Sequence, residues 1–164
     1  MPHHVTVDPQ VEGGLAVTGL EDKRIDEGLT FFATHTVSVG TGTAVSVLMT
    51  TPTTGTYHLI VECECKKAGT FQLQEAPNAT AGTVLTAQNI YRASTNADTM
   101  VLAHTPTYTS AGTVLETHVI GGISGPNVKT RKWILAVSTK YIARFTADAA
   151  TSEAAMNFIY HREA

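Results

Sequence analysis

The sequence predicts an all-β protein, a sandwich or barrel of short antiparallel strands. Three observations carry this. Residues 56–66 read T-Y-H-L-I-V-E-C-E-C-K, with Tyr57, Leu59, Val61, Cys63 and Cys65 on every second position and His58, Ile60, Glu62, Glu64 and Lys66 between them. Strand side chains alternate between faces, so this is expected to be a central strand with one buried face. From Leu29 onward, runs rich in Val, Ile, Thr, Phe and Tyr recur between Gly, Pro, Asn and Ser clusters at intervals of about eight to fifteen residues, the spacing of sandwiches and barrels. A 3.6-residue period is almost absent. The best helical piece, residues 147–156 (A-D-A-A-T-S-E-A-A-M), precedes a strong strand and has β-branched neighbours, so a loop or single turn is expected there.

Taken in order, residues 1–28 form an N-terminal arm and residues 29–164 the β domain. In the arm Pro2, Pro9, Gly13, Gly14, Gly19 and Gly28 interrupt short apolar pieces and exclude a long helix or a central strand. Val5, Val7, Val11, Leu15 and Val17 alternate well enough to pair as an edge strand on a neighbouring subunit or partner, and are the candidate partner-binding residues. An arm folded back on its own domain is the other open reading. Strands are expected over 30–39, 44–50, 56–66, 70–75, 83–89, 100–103, 113–120, 133–138, 141–146 and 155–161. Ala-Gly-Thr recurs at 68–70, 81–83 and 111–113, and the last two extend to A-G-T-V-L. Glycine frees the turn and Thr-Val-Leu starts a strand, so these read as equivalent corners in the two halves of a sandwich. Trp133, Leu135 and Val137 form one alternating face and Tyr141, Ala143 and Phe145 another, joined by Ser138-Thr139-Lys140, which predicts a hairpin. Met156, Phe158 and Tyr160 alternate inward in the last strand.

Composition narrows the function classes. Hydrophobic residues make up 43% and charged residues 15% of the 164 residues, with a formal net charge of -3. Lys and Arg are few and scattered, so no electrostatic footprint for nucleic acid or an anionic membrane is expected. No stretch approaches the roughly 18–20 apolar residues of a membrane helix. Nothing at the N-terminus reads as a secretion signal, so the sequon Asn78-Ala79-Thr80 is taken as chance. Cys63 and Cys65 point the same way along one strand, their Cα atoms about 6.6 Å apart with parallel Cβ vectors, and are expected as free buried thiols.

No catalytic, cofactor or metal residues are assigned. His35, His58, His104, His118 and His161 fall singly on different strands, without the His-x-His of metal-binding β-barrels, and read as solvated or hydrogen-bonded. Ser124 in G-G-I-S-G-P lacks the strand-to-helix setting of a nucleophile elbow. Gly40-Thr41-Gly42 and Gly121-Gly122 lack the setting of a phosphate loop and read as hairpin turns. Glu62 and Glu64 read as a wet strand face.

From Gly28 to about residue 161 the chain resembles small virion proteins of tailed bacteriophages. The resemblance runs through E-G-L-T-F-F, V-L-M-T-T-P, T-Y-H-L-I-V-E-C, Q-L-Q-E-A-P-N-A-T-A-G-T-V-L-T-A-Q-N-I-Y-R-A-S, G-T-V-L-E-T and K-W-I-L-A-V-S-T-K-Y-I-A-R-F-T-A. Its most specific parts are residues 75–94, with Asn89 and Arg92, and the W-I-L…Y-I-A-R-F-T segment. What it implies is a jelly-roll-like antiparallel β-sandwich with an extended N-terminal arm, acting as a capsid decoration or cement protein on the outside of a phage head. The implied partner is the major capsid protein, the implied assembly a homo-oligomer (a trimer, or else a dimer), and the implied location the virion surface after synthesis in the host cytoplasm. No enzyme activity or cofactor is expected. Asn89 and Arg92 are expected to orient a strand corner. An alternative is a receptor- or carbohydrate-binding jelly-roll module of a phage fibre, with Tyr57, Tyr91 and Tyr108 as sugar-stacking candidates. A third is a metal-dependent β-barrel enzyme, if the histidines converge.

Overall fold

The structure, a computed structural model, describes residues 20–121, 127–148 and 152–163. The candidate residues Val5, Val7, Val11, Leu15 and Val17, and Ser124, lie outside them. In chain order the elements are α1 (Leu20–Asp26), β1 (Thr30–Val39), β2 (Ala44–Thr50), β3 (Tyr57–Cys65), β4 (Gly69–Glu75), β5 (Asn78–Thr80), β6 (Thr83–Leu85), β7 (Gln88–Asn89), β8 (Val101–His104), β9 (Thr107–Ser110), β10 (Thr113–Ile120), β11 (Asn127–Lys129), β12 (Trp133–Leu135), β13 (Lys140–Ala147) and β14 (Ser152–Arg162).

Two antiparallel sheets pack face to face. The first has the order β11-β3-β14-β1-β7, with β12 also paired to β3; the second has the order β10-β4-β13-β2-β8-β6. β3 sits inside its sheet, and its alternation places Tyr57, Leu59, Val61, Cys63 and Cys65 in the core. Met156, Phe158 and Tyr160 of β14 join them from the same sheet, and Phe71, Leu73, Val47, Met49, Tyr141 and Phe145 face them from the second. β1 pairs with β14 from Thr30↔His161 to Val39↔Ser152, and Thr34 Oγ1 donates to Asn157 Oδ1 at 2.7 Å on that ladder's outer face.

Several connections differ from the sequence expectation. The turn at Gly40–Gly42, with φ +66° at Gly42, carries the chain from one sheet to the other and does not close a hairpin. The hairpin expected between residues 133–138 and 141–146 does not form: β12 pairs with β3 and β13 lies between β4 and β2 in the opposite sheet. The end of β2 holds the corner between them. Thr51 Oγ1 donates to Ala136 O at 2.7 Å and accepts from Thr139 N at 2.9 Å, and Ser138 N donates to Pro52 O at 2.8 Å. With its backbone groups satisfied this way, the corner turns outward, and Val137 is 46% exposed where the alternation put it inside.

The A-G-T-V-L segments also sit elsewhere than expected. They start the two edge strands β6 and β10 of one sheet, and do not occupy the two halves of the sandwich. The likeness is longer than five residues: E-A-P-N-A-T-A-G-T-V-L (75–85) matches H-T-P-T-Y-T-S-A-G-T-V-L (104–115). Each segment leaves its strand through a non-glycine residue with positive φ, Ala76 at 51° and Thr105 at 53°, followed by proline. The two segments pair with each other as β5 and β9. Each then enters the edge strand beside the strand that the other segment left, Thr83 opposite His104 and Thr113 opposite Glu75. At the point of entry Gly82 lies against the carbonyl oxygens of His104 and Thr105, and Gly112 against the Glu75 carbonyl, so a Cβ at either would strike backbone. Beneath the crossing, Ala79 is fully buried with Leu48 and Ile142 of the sheet's outer face. Tyr108 closes it, donating to Gln74 Oε1 at 2.8 Å under the Arg144 guanidinium, 4.8 Å from the ring centre.

Residues 20–26, assigned to the arm by sequence, form the seven-residue helix α1. Gly28 (φ +67°) ends it, its N–H donating to Ile25 O at 2.8 Å and that of Leu29 to Arg24 O at 2.9 Å.

Candidate interaction surface

Among the described residues, no three His, Cys, Asp or Glu side chains stand together as a metal site. The histidines meet instead in stacked pairs, His35 with His104 at 4.5 Å and His58 with His161 at 4.6 Å between ring centres. Cys63 and Cys65 are free and buried. Burial pushes the Cys63 thiol up to about 12, helped by Cys65 and Glu64, so the reactive thiolate is suppressed. Glu62 is half-buried and pairs with Lys129 at 3.1 Å across to β11. Of the three tyrosines, Tyr57 is 1% exposed with its hydroxyl bonded to Thr99, and Tyr108 lies under Arg144; Tyr91 alone is exposed, at 45%. Asn89 orients a corner as expected: its Nδ2 donates to Gly28 O at 2.7 Å and its Oδ1 accepts from Tyr91 N at 2.9 Å. Arg92 bonds Gln88 Oε1 at 2.9 Å.

The surface that remains is a flank of the sandwich. β10 is an eight-residue edge strand that pairs only with β4 among the described residues. Leu115 bulges out of that ladder, between Val114 and Glu116, so the strand is irregular at its start and regular from Glu116 to Ile120. Val119 on this edge is 80% exposed, and Ile134 of the adjacent sheet edge is 66% exposed. An unpaired row of backbone donors and acceptors beside exposed aliphatic side chains is a template for strand addition or subunit contact.

Glu116 fixes the two sheet edges together on this flank. Its Oε2 accepts from Trp133 Nε1 at 2.9 Å and from the Arg131 N–H at 3.2 Å, and its Oε1 is 2.7 Å from His118 Nε2. Burial alone would raise this carboxyl, but the hydrogen bonds from Trp133, His118 and Arg131 outweigh it and hold the pKa below the usual range. The opposite flank is joined differently among the described residues. There His35 of β1 stacks on His104 of β8 across the gap between sheets, and burial, then the His104 charge, lower its pKa. Sequence reasoning did not single out Glu116; T-V-L-E-T-H-V-I places it on an ordinary alternating strand, and its partners on the other sheet lie 15 and 17 residues away.

Comparison with protein-family models, curated proteins and solved structures finds no match to the chain. Among the described residues no helix is long and apolar enough to cross a membrane.

Proposed function

We propose that the protein is a structural virion protein, a decoration or cement protein that attaches to the outside of a phage head as a homo-oligomer. The observation that carries this reading is the open β10 edge with Val119 and Ile134 exposed beside it, a surface suited to adhesion. The strand order is consistent with it. Leaving aside β5 to β9 and β12, β1-β14-β3-β11 faces β2-β13-β4-β10, and consecutive strands alternate between the sheets except β4 and β10, which lie side by side in the second, an order consistent with a jelly roll into which β5 to β9 are inserted. The resemblance of residues 28–161 to phage virion proteins supplies the partner, the major capsid protein. Many copies, each burying a modest area, would stabilise the shell together.

The test is co-sedimentation of the purified protein with phage heads that lack it, counted as copies per head. Saturation at a number set by icosahedral symmetry is the expected result, with Val119→Lys and deletion of residues 1–19 each lowering occupancy while the domain stays folded. Folded protein that does not bind heads overturns the reading and shifts weight to a receptor- or carbohydrate-binding module, for which Tyr91 is the exposed ring.

A further inference from the structure

Counted against its partner strand, β10 is symmetric about Thr117. Leu115 is the extra residue of the bulge, so Val114 lies opposite Gln74, Thr117 opposite Gln72 and Val119 opposite Thr70. Val114 and Val119 therefore stand two rungs to either side of Thr117, although Val114 is one residue further from it in sequence. Glu116 and His118 stand one rung to either side, opposite Leu73 and Phe71, and Thr113 and Ile120 three rungs, opposite Glu75 and Gly69. Without the bulge, Leu115 and not Val114 would balance Val119. Side chains alternate along the rungs. Glu116 and His118 turn to the seam between the sheets, and Val114, Thr117 and Val119 turn outward, the two valines 46% and 80% exposed.

The free side of this strand is unguarded. T-V-L-E-T-H-V-I contains no lysine, arginine or proline, the residues that commonly keep an edge from pairing, and its one carboxylate is held by Trp133 and Arg131. An edge centred in this way can pair with itself. When two copies are related by a two-fold axis through Thr117, antiparallel pairing sets Thr117 opposite its own equivalent, Val119 opposite Val114 of the second copy, and His118 opposite Glu116 of the second copy. Each of the last two contacts then occurs twice. The exposed valines cover one another, and each Glu116 gains an imidazole across the pair besides the His118 ring at 2.7 Å on its own strand. A match on every rung is what a second copy supplies by symmetry, and this selects it over an unrelated strand.

We propose that β10 is the seam of a two-fold homodimer, in which the second sheets of two copies join through β10–β10 pairing into one continuous sheet. This rests on the reading of the β10 edge as adhesive and names the partner of that edge as a second copy of the chain. The test is sedimentation equilibrium of the isolated protein, where a concentration-dependent equilibrium between monomer and dimer is expected. Val119→Lys and Val114→Glu, each at an exposed position, should each weaken association about tenfold or more, and mixing the two should restore a dimer, because the register sets the lysine opposite the glutamate. Thr117→Cys should be joined to itself by a short thiol cross-linker, measured against the unsubstituted protein, whose two cysteines are buried. Val119→Cys alone should not, since its two copies lie four rungs, about 13 Å, apart. A monomer at all concentrations, a trimer, or cross-linking of Val119→Cys as readily as Thr117→Cys overturns the pairing. A dimer that meets these expectations but does not bind phage heads supports the pairing and overturns head attachment, whereas a monomer that binds heads overturns the pairing alone.

Discussion

The two flanks of the sandwich begin alike and close by opposite chemistry. On both, an Ala-Gly-Thr-Val-Leu segment brings a glycine against the carbonyls that end the neighbouring strand. After Leu115 the chain runs on as β10 and delivers Glu116 to Trp133 and Arg131 of the other sheet. After Leu85 the strand stops, and the sheets meet through the rings of His35 and His104. The repeated residues therefore fix only the close approach of backbones, and the side chains that follow decide how the seam is held. One flank depends on a carboxylate held in its charged form; the other depends on two stacked rings, of which His35 is held below its ordinary pKa.

Acid should take the flanks apart in a definite order. The His35 pKa is lower in the folded chain than its ordinary 6.5, so the native state takes up that proton less readily than the unfolded state. Stability is then lost as pH falls below about 6.5 toward the folded value. The Glu116 pKa is also lowered, but from the carboxylate range, so its contribution is complete above about 4.3 and disappears as pH falls through the lower folded value. The histidine flank weakens first.

Five variants break or sharpen this contrast. The largest effect belongs to the core both flanks share: Phe145 is fully buried, and Phe145→Ala is expected to cost about 3–5 kcal/mol in thermal or denaturant melts. Both flanks should then lose amide protection together. Gly112→Ala and Gly82→Ala each place a Cβ into backbone and should each cost about 1–3 kcal/mol or more. A large loss at one and none at the other would show that the two corners are not equivalent. Glu116→Ala strands the Trp133 and Arg131 donors and should cost about 1–3 kcal/mol at pH 7, the difference from wild type shrinking as the pH is lowered past 4. The smallest effect is His35→Phe, which keeps a ring on His104. Its stability at pH 7 should lie within about 0.5–1 kcal/mol of wild type, while its loss between pH 7 and pH 5 should be the smaller of the two.

Much of the fold was legible because period two is a strong signal over eight or more residues. β1, β2 and β10 match the expected bounds, and β3 has the expected inward face. Alternation says which side of a strand is buried but not which sheet the strand belongs to. Trp133–Leu135 and Tyr141–Phe145 show the same pattern whether paired or facing each other, and the hairpin expectation failed there. β5, β9 and β11 have three or four residues each, too few for a period to register. The A-G-T-V-L likeness was visible, but its extension back to Pro77 and Pro106 becomes recognisable only once β5 and β9 are seen paired. The candidate surface was the least legible, because β10 becomes an edge through its neighbours and Glu116 through partners across a seam.

The pairing of β1 with β14 and of β2 with β13 has a consequence for how the chain is made. Thr34 must wait 123 residues for Asn157. On a ribosome, the earliest strands emerge long before the strands that complete their ladders exist, and their edges stay open through most of synthesis. The protein can fold only after residues 140–162 have left the tunnel, so a chain halted before them lacks the middle of both sheets and would be cleared or aggregate.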